Sequence, residues 1–138
     1  MEVEAFLLCD AATDQRGKLN ILGAFDSIYA RQLPAIHPQC AVAARIRFDR
    51  SESGEHEVKL LIIDEDGNSI GPKLEGKVAV NVVEVDFMAV NLILYIHRMK
   101  LEKYGRYRID LSINERHVAE LPFNLRQVPE QPGMPPHA

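Results

Sequence analysis

The chain contains no tryptophan and only two cysteines. Two cysteines are too few for a disulfide framework, and without tryptophan there is no Cys–Trp–Cys signature of an antibody-type domain. Cys9 and Cys40 both fall inside apolar segments, where a free cysteine behaves as a small buried hydrophobe; a Cys9–Cys40 disulfide or a reactive thiol is the alternative. Excess positive charge is lacking as well: 16 lysines and arginines stand against 20 aspartates and glutamates, for a net charge of −4. That mild acidity argues against nonspecific nucleic-acid binding. No stretch approaches the roughly 20 apolar residues of a membrane span. Glu2 and Glu4 stand where a signal peptide would carry lysine or arginine, so the expected setting is cytoplasmic. There is no G-x-S-x-G elbow, glycine-rich phosphate loop or zinc-protease motif, so no catalytic residue and no cofactor is assigned.

What is present is alternation. With 138 residues, the chain reads as one domain over 1–128 followed by a proline-rich tail over 129–138. The clearest hairpin is GRYRIDLSINERHVAELPFNLR. Tyr107, Ile109, Leu111 and Ile113 alternate with Arg106, Arg108, Asp110 and Ser112, and Leu121, Phe123 and Leu125 alternate with polar neighbours. A period of two is the signature of a strand with one wet and one dry face. Val118 has the wrong parity, which predicts a bulge near Ala119 and Glu120. Further strands are expected over 3–11, 18–30, 40–49, 55–64, 73–83 and 88–98. In 40–49, Cys40, Val42, Ala44, Ile46 and Phe48 should face inward, and Arg45, Arg47 and Asp49 outward. Val58, Leu60 and Ile62 should share one face, as should Val90, Leu92, Leu94 and Ile96. Pro34 and Pro38 do not belong in a central strand. Eight strands without a helix indicate an all-β fold, an immunoglobulin-like antiparallel β-sandwich of about eight strands, in which Tyr107 is either a corner tyrosine or a simple buried one.

The segments EAFLLCDAA, GKLNILGAFD, HPQCAVAARIRF, EHEVKLLIIDEDG and GRYRIDLSI resemble a bacterial family known only as a domain of unknown function, from about Glu4 to Val128. The resemblance implies a small cytoplasmic bacterial domain, an all-β sandwich with no assigned activity. It carries over no catalytic residues.

Candidate sites are sparse. None of His37, His56, His97, His117 and His137 has a histidine, cysteine or acid at zinc-ligand spacing, so no metal site is expected. DEDGN alternates Asp64, Asp66 and Asn68 as a calcium loop does, but it lacks the glutamate at the twelfth position and reads as a hairpin turn. The charged faces are the remaining feature: Arg45 and Arg47 on one strand, Arg106 and Arg108 on another. These arginines are either a solvated face of cross-strand ion pairs or a patch for an acidic or phosphorylated partner. The leading expectation is a noncatalytic binding or interaction module with a protein partner, or self-association through an edge strand. The alternatives are an enzyme or metal-dependent ligand or lipid binder using strand-end loops, and a structural subunit of a homo-oligomer.

Overall fold

The period-two segments assemble into two sheets. The structure, a computed structural model, describes residues 1–129. Among the described residues there are nine strands: β1 Glu2–Gln15, β2 Lys18–Ala24, β3 Ser27–Ala30, β4 Ala35–Asp49, β5 Gly54–Asp64, β6 Ser69–Val80, β7 Phe87–Leu101, β8 Gly105–Ile113 and β9 Arg116–Gln127. One sheet has the order β2-β1-β4-β7 and the other β3-β9-β8-β5-β6. All pairings are antiparallel except β3 with β9, which is parallel. The expected inward residues of β4, β5, β8 and β9 form one buried cluster between the sheets. The expected tail lies outside the described residues except for Pro129.

The strand expected over 18–30 is two strands, one in each sheet. Gly23 takes φ +68°, and a Cβ on it would lie 2.5 Å from an Asp10 carboxylate oxygen, so only glycine fits the bend. Beyond it, Phe25 N–H donates to Leu8 O (2.9 Å) and Asn124 N–H donates to Asp26 O (2.8 Å). These two bonds hand the chain from β1 to β9.

β4 begins at Ala35 rather than at 40 and includes Pro38. The reason is local: β1 pairs with β4 only as far as Cys9 opposite Ala41, so the earlier part of β4 has an open edge, where proline is tolerated. Opposite Pro38, Arg98 of β7 takes φ +54°. Past this kink the facing flips, and Ala35 and His37 become buried while Ile36 and Pro38 are exposed. Likewise, Gly71 and Pro72 sit inside β6, an edge strand, at a register shift against β5. In the β8–β9 hairpin the extra residue is Val118, because Leu111 pairs with Ala119 but Ser112 pairs with His117.

Tyr107 is 3% exposed and stacks on Phe123 with ring centroids 5.2 Å apart. Its hydroxyl donates to Lys103 O (2.6 Å) and accepts from Lys103 N–H (3.3 Å). That is the return bond to upstream backbone that a corner tyrosine makes. Tyr107→Ala is expected to cost about 3–5 kcal/mol of stability, and Tyr107→Phe about 1 kcal/mol, both read from urea denaturation. A Phe variant with the wild-type midpoint would show that the hydroxyl bond contributes nothing.

Candidate functional site

The four arginines do not form one patch. Period two sends Arg45 and Arg47 to the outer face of the four-stranded sheet, and Arg106 and Arg108 to the outer face of the five-stranded sheet. Arg45 donates from Nε to Glu4 (2.9 Å), and from a terminal nitrogen to Gly17 O and Asn91 Oδ1 (both 2.9 Å). Asn91 in turn donates to Asp14 (2.9 Å) and Gly17 O (3.2 Å); the bond from Asn91, with a second from Gly17 N–H (2.9 Å), holds the Asp14 carboxyl below its ordinary range. Tyr95 O–H donates to Ala12 O (2.8 Å) and accepts from Ala12 N–H (3.3 Å). These bonds fold the far half of the β1–β2 hairpin across the outer face of β4, and Cys9 and Ala12 of β1 form a small buried cluster with Ala41 and Ala43 there. Arg47 pairs with Glu4 (3.2 Å) and lies 5.6 Å over the Phe87 ring. Both arginines are thus committed to partners within the chain.

On the other face, Arg108 Nε lies 3.0 Å from Asp110 Oδ1 and 3.7 Å from Glu120 Oε2. His117 Nε2 approaches the same two oxygens at 3.7 and 3.9 Å. Asp110, His117 and Glu120 bring their donor atoms within 4.8 Å of one another and could hold a metal ion. Sequence spacing alone does not reveal this grouping. Asp110 comes from the facing strand, and the extra Val118 puts His117 and Glu120 on one side despite their odd separation. Arg108 sits on the very oxygens an ion would need, so a metal would have to displace it. A groove of about 320 Å³ beside the cluster is lined by Asp64, Glu65, Arg106, Tyr107, Arg108, Glu120 and Pro122. No hydroxyl or thiol nucleophile other than the bonded Tyr107 borders it.

The DEDGN stretch is a hairpin turn closed by its own first residue. Asp64 Oδ1 accepts from Asp66 N–H (3.0 Å) and Asn68 N–H (2.9 Å), and Lys103 Nζ approaches Asp64 (3.5 Å) and bonds Asp66. The Asn68 amide and Lys103 hold the Asp64 carboxyl below its ordinary range. The Lys103 ammonium thus bridges the two carboxylates of the turn.

Cys9 and Cys40 are both free. They lie on opposite faces of the sheet, Cys40 in the main core and Cys9 under the folded hairpin. Burial pushes the Cys40 thiol up to about 11 and raises Cys9 as well, with Asp10 adding to both, so neither is a reactive thiolate at neutral pH. His37 is 6% exposed and its Nε2 has no hydrogen-bond partner among the described residues. Burial lowers its pKa, against the opposing influence of the Asp10 carboxylate.

The remaining feature is the margin formed by β7. It ends its sheet, with β4 on one side and no strand on the other among the described residues. Its inward residues Met88, Val90, Leu92 and Leu94 pack on the core but stay partly exposed, whereas Val42, Ile46 and Phe48 of β4 are at most 1% exposed. Residues 88–96 carry no charge and no proline. Val83, Val85 and Phe87, leading into the strand, are each at least half exposed. The other long edge near this margin, β6, contains Pro72, Lys73 and Lys77, which guard an edge against pairing. The expected alternation over 88–98 located the strand; the sequence has no signal for its place at a sheet margin. Comparison with known proteins finds one match: a family described as a family of unknown function, DUF6941, matches residues 4–126. No curated protein and no solved structure matches.

Two outcomes are expected. Calcium at about a millimolar should leave the melting temperature unchanged, since Lys103 competes for the same carboxylates. A saturable rise lost in Asp66→Ala would overturn this. His37 should make stability pH-dependent. Its folded-state pKa is lowered, so stability is full above the ordinary histidine value of about 6.5 and falls as the pH drops below it, because the unfolded chain takes the proton first. The urea midpoint should therefore decline between about pH 7 and 5.5 in the wild type and less in His37→Leu. Equal slopes would show that His37 is not the titrating group.

Proposed function

The chain belongs to this family of unknown function, so membership carries no activity with it, and we propose that the protein is a noncatalytic interaction module that takes on a partner by adding a strand to β7. The observation that carries the reading is the uncharged edge over residues 88–96, with core side chains left partly open beside it. An unpaired edge offers a row of N–H and C=O groups to a second chain, and edges without a partner are ordinarily blunted by lysine, proline or a bulge. The charged groups of both outer faces support the same reading, because Arg45, Arg47 and Arg108 are bonded to carboxylates of the chain itself. The finer fold reading, an immunoglobulin-like sandwich, is supported by β3 running parallel to β9 after the chain changes sheets and by the Tyr107 bond to Lys103. A cytoplasmic setting is supported by two buried, unpaired thiols.

The test uses a displayed library of extended peptides of about nine residues, an ordinary strand length, selected against the immobilised chain. Sequences of alternating apolar character should be captured and should lose binding when Ala89, on the outward side of β7, is replaced by Lys. Captured peptides indifferent to Ala89→Lys would overturn strand addition at this edge.

A further inference from the structure

We infer that the strand added to β7 is β7 of a second copy of this chain, paired antiparallel about Leu92; this rests on the reading of β7 as a strand-accepting edge. The argument begins with charge. Glu84 and Asp86 precede the uncharged stretch, and Arg98 and Lys100 follow it. Asp86 and Arg98 make no ion pair among the described residues, and both are exposed. An antiparallel copy sets each acidic end against the partner's basic end, twice over by symmetry. A parallel copy would set like against like, which destabilises a sheet pair.

Register follows from the same residues. A two-fold axis normal to the sheet must pass through one residue's pair with itself, which keeps inward side chains opposite inward ones. With the axis at Leu92, Met88 faces the partner's Ile96 and Val90 faces the partner's Leu94. Asp86, just before the strand, then meets the partner's Arg98. Moving the axis to Ile93 sets the apolar Met88 against the partner's charged Arg98, and moving it to Asn91 sets Asp86 against the partner's Ile96. On the outer face the half-exposed Tyr95 ring comes to lie beside the partner's Ala89, a small neighbour with room for it. The left-handed turns at Glu84 (φ +62°) and Arg98 (φ +54°) bound the pairing at both ends. The result is one continuous sheet across two molecules, with both five-stranded sheets on the same side and the open cores joined at Leu92. The chain's own C-terminal segment is a poor occupant: it leaves β9 beside β3, at the opposite margin from β7, and has prolines at 129, 132, 135 and 136.

Sedimentation of the full chain over a range of concentrations tests the inference. The wild type is expected to form dimers. Asp86→Lys should weaken them about tenfold, since two symmetry-related attractions become repulsions, and the double change Asp86→Lys with Arg98→Glu should restore them. Leu92→Cys should give a disulfide-linked dimer on oxidation, while the wild type should not, because Cys9 and Cys40 are fully buried. A chain that stays monomeric to about a millimolar, a dimer indifferent to Asp86→Lys, or a Leu92→Cys protein that does not cross-link would each overturn the second copy as the partner. If the chain is monomeric yet still captures extended peptides in an Ala89-sensitive way, strand addition stands and the self-pairing alone fails. If neither occurs, both fail.

Discussion

The structure depends on β4 being buried on both of its faces. Cys40, Val42, Ala44, Ile46 and Phe48 fill the core between the sheets, while Ala41 and Ala43, pointing the other way, are equally inaccessible. A central strand of a two-layer fold ordinarily has one dry face. Here the second face is made dry by the β1–β2 hairpin, which folds over it and packs Leu19 and Ile21 against the cluster of Cys9, Ala12 and the two alanines. Small side chains are needed at 41 and 43 for that approach, and the interior would not close around larger ones without displacing the hairpin.

This burial explains the polar groups beside it. A hairpin laid over a sheet still has backbone donors and acceptors to satisfy, and after Cys9 the edge of β1 has left β4. Tyr95 serves both backbone groups of Ala12, and Arg45 with Asn91 serves Gly17 O at the hairpin's tip. Glu4 neutralises Arg45 and Arg47 from the bulge in β1. On exposed strands such pairs contribute only a few tenths of a kcal/mol each, so their main effect is to position the hairpin. The face with Arg108, Asp110, His117 and Glu120 is the same kind of closed charge set on the other sheet.

How much of this was legible in the residues follows from the range of the signals. Period two is local, and it located the inward sets of β4, β5, β8 and β9. The bulge at Val118 was also local, and it was read to within a residue. Where a strand sits in its sheet is a long-range property. The alternation in CAVAARIRF puts Ala41 and Ala43 on the side opposite Val42 and Ala44, and only the fold-over of the hairpin makes that side dry. The division of 18–30 between two sheets depends on Asp10 and Leu8 meeting Gly23 and Phe25, contacts with no trace in the segment itself beyond its glycine. Pro38 misled for the same reason, since whether a proline lies in a central or an open stretch depends on where β1 departs. The Asp110–His117–Glu120 cluster was hidden because its members come from two strands joined across a change of facing.

The same double burial explains why β7 has an uncharged edge. Its inward residues complete the core against the second sheet, and its outward residues Asn91, Ile93 and Tyr95 hold or cover the folded hairpin. Apart from the position of Ala89, near the start of the strand, neither face is free to accept the lysine that usually guards an edge strand. A guard could stand only at the ends, and there the charges are of opposite sign, acidic before residue 87 and basic from 98. Charges of one sign at both ends would repel any second copy, whereas opposite signs repel only the parallel arrangement. The strand is therefore blunted against one orientation and open to the other, and the requirement that closes the outer face of β4 is also what leaves the margin of the sheet able to continue into a neighbour.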